Sequence, residues 1–189
     1  MTDIKQKAKW VRISRWLHRK IALALFIFFL LIAVTGVLLG IKKHAGLLEP
    51  TQKGVSSNAS EWLPVDSLKR MAEHFLLDSV SADLSTDLDR IDIRPGKGIA
   101  KFVYTGHYWG LQLDCKTGSL LLIEKRRSDF IEDLHDGSIL DDLLGTNNEQ
   151  IKLGYTVIMG LSLLFLILSG LWLWYGPKRI RKIKREKHD

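Results

Sequence analysis

Six histidines are the residues best suited to chemistry in this chain of 189 residues. Imidazole is the usual protein ligand of haem iron and of several other metals. The settings of the six differ. His188 lies in a charged tail, and His74 lies on an amphipathic stretch off its apolar face; both read as solvated. His107, in "YTGHYWG", reads as a packed or hydrogen-bonded ring between two strands. His18 in "RWLHRK", His44 in "GIKKHAG" and His135 in "FIEDLHDGSILDDLLG" stand at the edges of two long apolar runs. A low-spin haem takes axial ligands on opposite faces, so the question is which histidines share a depth in a membrane. His44 and His135 do, if the chain around His135 continues toward the second run, and could bracket one haem. His18 lies roughly 39 Å from His44 along a helix. It needs a partner of its own, most simply His18 of a second copy. Gly137, two residues after His135, would let a macrocycle approach the backbone. Asp136, Asp141 and Asp142 read either as a divalent-metal site or as caps of the helix entry.

Other chemistries lack a frame. Serine, histidine and aspartate all occur, but no nucleophile elbow or HExxH surrounds them. No glycine-rich dinucleotide fingerprint is present, so a flavin or nicotinamide donor would be another protein. The single cysteine, Cys115, excludes an intrachain disulfide and reads as a small packing residue in a strand.

The elements that must position the histidines follow from hydropathy and charge. Ile21–Ile41 and Leu153–Tyr175 carry no formal charge. Each is long enough for the ~20 residues that cross a hydrocarbon core of about 30 Å. The fold class expected is therefore a membrane protein, with two transmembrane α-helices flanking a small α+β extracytoplasmic domain. No small-x-small cleavage site follows the first run, so it reads as an anchor and not as a cleaved signal peptide. The net charge is +7, and its placement is informative. Lys5, Lys7, Lys9, Arg12, Arg15, Arg19 and Lys20 precede the first run; Lys178, Arg179, Arg181, Lys182, Lys184, Arg185 and Lys187 follow the second. The positive-inside rule places both termini in the cytoplasm and the middle outside. These basic segments read as topology signals in contact with anionic membrane lipid, not as nucleic-acid patches.

The expected order is a basic segment over 1–20, a span over 21–41, a polar connector over 42–60, an outer domain over 61–127, a return segment with His135 over 128–152, a span over 153–175 and a basic tail over 176–189. Ala33, Gly36 and Gly40 give the first span a small-residue packing face. Within the outer domain, Leu63–Leu77 has the spacing of an amphipathic helix, with Leu68, Met71, Ala72 and Phe75 inward and Asp66 or Ser67 as N-cap. Four alternating runs follow: "RIDIRPG", "IAKFVYTG", "YWGLQLDCKTG" and "SLLLIEKRR". They predict an antiparallel meander whose clearest turn is "DCKTG". Trp172, Trp174 and Tyr175 form an aromatic belt, and Gly176-Pro177 predicts a helix break after it.

"WLHRKIALALFIFFLLIAVTGVLL" resembles the first helix of the PepSY-associated transmembrane family, with its histidine, apolar run and Thr-Gly pair. "DLHDGSILDDLLG" with "LGYTVIMGLSLLFLILSGLWLWYGPKR" resembles that family's Leu-His-x-Gly segment and following helix, with Ser169-Gly170 in place of Thr-Gly. The helix and meander between them, with "LQLDCKTGSLLLIEKR", look like a PepSY domain. The resemblance covers most of residues 10–180. It implies a bacterial inner-membrane protein, multi-pass, with a periplasmic PepSY domain. Larger members are implicated in reducing ferric siderophores, with b-type haems on helix histidines. By position, His18 and His135 match the family's histidines, and His44 matches none clearly. The implied function is a haem-b electron-transfer protein supporting reduction of ferric siderophore iron outside. With two spans where larger members have four or more, it would act as a homodimer or serve a larger membrane partner. The other expectation is a non-enzymatic module that binds a peptide, protease or transporter partner, its helices only an anchor.

Overall fold

The computed structural model describes residues 2–146 and 149–185, so that Lys187 and His188 of the basic tail lie outside the described residues. Its helices are α1 (Thr2–Ala24), α2 (Phe26–Gly40), α3 (Val65–Ser79), α4 (Arg127–Asp136), α5 (Ser138–Leu144) and α6 (Gln150–Arg185). Its strands are β1 (Leu88–Arg94), β2 (Ile99–Tyr104), β3 (Trp109–Asp114) and β4 (Leu120–Lys125). The chain forms two compact units, Val37–Leu134 and Met1–Gly36 with His135–Asp189.

The first unit holds the predicted meander, an antiparallel sheet in the order β1-β2-β3-β4. Alternation gives the sheet two unlike faces. Ala100, Phe102, Tyr104, Leu111 and Leu113 form the core with Leu68, Ala72 and Leu76 of α3. These helix residues recur every fourth position, on one face, as the periodicity requires. Met71, expected inward, sits at the rim with 37% exposure. The expected cap is also displaced: neither Asp66 nor Ser67 caps α3, which starts at Val65 with Pro64 in the cap position. The Pro64 carbonyl accepts from the Ser67 and Leu68 N–H groups. Proline's fixed φ suits a helix entry, and Asp66 in the first turn is instead paired with Arg70.

The other face of the sheet is polar yet covered. Gln112, Asp114 and Glu124 are 1%, 0% and 3% exposed. Lys101 pairs with Glu124 at 2.5 Å. The polar connector supplies the cover. Gln52 N–H donates to Gln112 Oε1 at 2.9 Å, Val55 N–H donates to Asp114 Oδ2, and Gly54 N–H donates to the Lys97 carbonyl at 2.8 Å. Gly54 and Gly98 make the crossing close enough. A Cβ on Gly54 would stand 2.3 Å from the Gly98 oxygen, and one on Gly98 would stand 2.0 Å from the Ser56 oxygen.

Asp114 also builds the "DCKTG" turn. Its Oδ1 accepts from Lys116 N–H at 2.8 Å and Thr117 N–H at 2.7 Å, while Gly118 at φ +72 closes the hairpin. Burial pushes the Asp114 carboxyl up, but the N–H groups of Val55, Thr117 and Lys116 outweigh it and hold the carboxyl below its ordinary value.

In the second unit, among the described residues, α6 is the one unbroken helix long and apolar enough to cross a membrane. Leu161, Leu164, Leu168 and Leu171 are all more than half exposed along it. Apolar side chains bare on every turn suit lipid, not water. The first apolar run departs from expectation. It is not one helix over 21–41: α1 ends at Ala24, α2 begins at Phe26, and the two are bent by 63° at Leu25. This pair qualifies as a span only as a broken one. At ~1.5 Å per residue α2 alone covers about 22 Å, less than a hydrocarbon core. The hydrogen-bond ladder continues through the bend, from Leu25 N–H to Ile21 O and from Phe29 N–H to Leu25 O, both at 3.0 Å. The two halves are attached at different places. His18 and Val11 hold α1 along the C-terminal half of α6, and Thr35 holds α2 to His135.

The expected break at Gly176-Pro177 is also absent: α6 runs through Pro177 to Arg185. Proline forfeits one helical hydrogen bond. At this point α6 packs against α1: a Cβ on Gly176 would meet Val11 Cγ2 at 3.1 Å. Lys178 Nζ adds a cation–π contact 3.7 Å above the Trp174 ring.

Candidate functional site

Two histidine centres occupy the helical unit, and they are built alike. His18, on α1, places Nδ1 2.7 Å from Ser169 Oγ on α6. His135, near the end of α4, places Nδ1 2.8 Å from Thr35 Oγ1 on α2. Thr35 and Ser169 are buried, at 4% and 7% exposure, and each back-bonds to its own helix. Thr35 Oγ1 donates to the Leu31 carbonyl at 2.7 Å, and Ser169 Oγ donates to the Leu166 carbonyl at 3.2 Å. A glycine follows each hydroxyl residue and lies against the imidazole. A Cβ on Gly36 would stand 3.4 Å from His135 Cε1, and one on Gly170 would stand 3.8 Å from His18 Cε1. Among the described residues neither Nε2 has a hydrogen-bond partner.

The centres lie far apart along α6. Gly137, two residues after His135, faces Tyr155, whereas His18 faces Ser169. From Tyr155 to Ser169 is about 21 Å along the helix axis. The structure thus brings each histidine to a Ser-Gly or Thr-Gly pair but does not bring His18 and His135 together. His44 has no such arrangement. It is exposed in the turn after α2, within the Val37–Leu134 unit, and its ring makes no hydrogen bond among the described residues.

The loop around His135 is firmly set. Asp136 pairs with Lys152 at 2.9 Å and accepts from Ser138 N–H at 2.9 Å and from its hydroxyl at 2.7 Å. Burial pushes the Asp136 carboxyl up, but these partners outweigh it and hold it below its ordinary value. Asp141 accepts from Thr146 Oγ1 at 2.5 Å and from the N–H groups of Ile151 and Lys152 at 3.2 and 2.7 Å. The Thr146 hydroxyl is the largest cause holding that carboxyl low. Asp141 therefore caps the start of α6, whose first N–H groups have no partner within the helix. Of Asp136, Asp141 and Asp142, Asp141 takes the capping role. Among the described residues no group of three histidine, cysteine or carboxylate side chains is placed to hold a metal ion. Gly137 does not stand open toward a macrocycle. At φ +85 it faces the Tyr155 ring, where a Cβ would meet Cδ1 at 2.8 Å.

The remaining histidines contrast with these. His107 Nδ1 accepts from Trp109 N–H at 3.2 Å, so Nε2 donates to the Ser85 carbonyl at 2.9 Å, and no nitrogen is left open. His74 is exposed on α3.

The residues that sequence reasoning missed are Thr35 and Ser169 as partners of the imidazoles. Their signal was the hydroxyl-glycine pair that occurs once in each apolar run. No curated protein and no solved structure matches the chain. The model of the PepSY-associated TM region matches residues 15–188. That match spans the residues of both histidine centres and the strands that intervene in the sequence, and the chain belongs to the PepSY-associated TM family.

Proposed function

We propose that the protein binds haem b and transfers electrons across the bacterial inner membrane, supporting reduction of ferric siderophore iron on the periplasmic side. The observation that carries this reading is the pair of histidine centres, each with an uncommitted Nε2. A membrane anchor can use hydroxyl–imidazole contacts for helix packing, but it does not need the Nε2 that each ring leaves without a hydrogen-bond partner among the described residues. Haem supplies one-electron chemistry when bound; what the chain supplies is ligation, orientation and a low-dielectric sleeve. The donor set fits the group in part. Each centre offers one imidazole, and among the described residues no group of three histidine, cysteine or carboxylate side chains is placed to hold a metal ion. A second copy would supply the same histidine as the other ligand, so the proposed functional species is a homodimer. His18 holds the cytoplasmic centre and His135 the periplasmic one, with both termini inside.

The test is the absorption spectrum of the purified, detergent-solubilised protein, oxidised and dithionite-reduced. A sharp reduced α-band of b-type haem is expected, reduced by about half in His135→Ala and again in His18→Ala. A chain expressed with ample haem and showing no Soret band would overturn the reading.

A further inference from the structure

We infer that Thr35 and Ser169 are positioning residues that lock His135 and His18 as Nδ1–H tautomers, so that Nε2 is the lone-pair nitrogen of both rings. A neutral imidazole carries one proton, on either nitrogen, and the partner of one nitrogen decides which. A hydroxyl has one hydrogen to give and two lone pairs to receive with. Thr35 Oγ1 gives its hydrogen to the Leu31 carbonyl at 2.7 Å. Ser169 Oγ gives its hydrogen to the Leu166 carbonyl at 3.2 Å. Neither can then donate to an imidazole, so the contacts of 2.8 and 2.7 Å to Nδ1 run the other way, from Nδ1–H to oxygen.

Each ring is also seated against the residue that follows its hydroxyl. Cε1 of His135 lies against Gly36 and Cε1 of His18 against Gly170. Oxygen on Nδ1 and glycine beside Cε1 orient the ring, and among the described residues Nε2 has no hydrogen-bond partner. The same device occurs twice on unrelated local frames. One histidine is inside a long helix and the other at a helix end; one hydroxyl is threonine and the other serine. His107, with both nitrogens engaged, takes the opposite tautomer.

The tautomer does not depend on the haem reading; its use in presenting Nε2 to iron rests on it. In a free histidine the Nε2–H form predominates, so the lock reverses the ordinary preference and has a direct spectroscopic signature. The experiment is nitrogen-15 magnetic resonance of the full chain, labelled at histidine and free of haem, in detergent. Wild-type His18 and His135 are expected as Nδ1–H tautomers. Thr35→Val should return His135 alone to the Nε2–H form, Ser169→Ala should do so for His18 alone, and Thr35→Ser should keep the lock. Rings that are already Nε2–H in the wild type, or that do not change in Thr35→Val and Ser169→Ala, overturn the inference. A haem titration of the same variants separates the two ideas. Outer partners of a metal-bound histidine are worth about 10–100-fold in affinity, so retention should weaken by that factor at one centre. A locked tautomer with no haem uptake would refute the haem reading and leave the lock standing.

Discussion

Asp114 shows how one buried side chain can hold two elements at once. Its Oδ1 organises the β3–β4 turn, and its Oδ2 fastens the connector through Val55 N–H. Asp114→Asn puts an amide donor where Val55 needs an acceptor, while sparing the turn. A buried donor left without a partner costs about 1–3 kcal/mol, and that loss is the expected fall in stability in a urea titration. The pH dependence follows from the direction of the shift. The folded carboxyl is held below its unfolded value, so its contribution is complete above an unfolded pKa of about 3.9. It is lost as pH falls through the folded value. Wild type should therefore lose stability below about pH 4 more steeply than Asp114→Asn. Parallel slopes would mean that Asp114 does not carry the effect. At this scale the sequence was partly legible. The "DCKTG" turn and the roles of His18 and His135 as candidates could be read from local context. The partners could not: His18 and Ser169 are 151 positions apart, and Thr35 and His135 are 100 apart. Local pattern says nothing about which hydroxyl a distant ring will meet.

The elements divide by whether their cause is local. Four strands and α3 were legible because alternation, helical spacing and glycine or proline breaks are written within each segment. The bend at Leu25 was not. Ala24, Leu25 and Phe26 lie in an apolar stretch with no proline or glycine nearby, the first glycine of the run being Gly36, so no local breaker marks the bend. Pro177 misled in the opposite sense: α6 continues through this local breaker, in a stretch where Gly176 lies against α1. The connector over 42–60 has the composition of a loose linker, yet part of it straps the polar face of the sheet. The Gly54–Gly98 crossing is what permits this. Gly98→Ala would add a Cβ at φ +64, 2.0 Å from the Ser56 oxygen. Left-handed backbone on a residue with a side chain costs on the order of 1–3 kcal/mol, before the clash. The strap should lift while the sheet persists. Hydrogen exchange is expected to quicken at Gly54 and Val55 and to stay slow at Phe102 and Leu111; uniform protection would contradict the assignment.

For the whole molecule, one consequence of the proposed function concerns copy number. In the proposed function each centre contributes one imidazole with an open Nε2, and a second copy would contribute the other ligand. A C2 arrangement pairs each residue with its own counterpart near the axis, so His18 would meet His18 and His135 would meet His135. The exposed leucines of α6 and valines Val34 and Val37 of α2 offer apolar surface that either lipid or a second copy can cover. The stoichiometry decides between these occupants. A dimer predicts two haems per two chains, and His18→Ala leaves one. Mixing wild-type and His135→Ala chains in equal amounts should leave the periplasmic haem in about a quarter of random dimers, the fraction with two intact ligands. Dilution into excess detergent should bleach both centres together as dimers dissociate, because haem bound between copies follows mass action. Low-spin haem that stays with monomers in size-exclusion chromatography would show that its second ligand comes from within one chain. In that case His44, the remaining histidine at the edge of an apolar run, would be the first residue to replace.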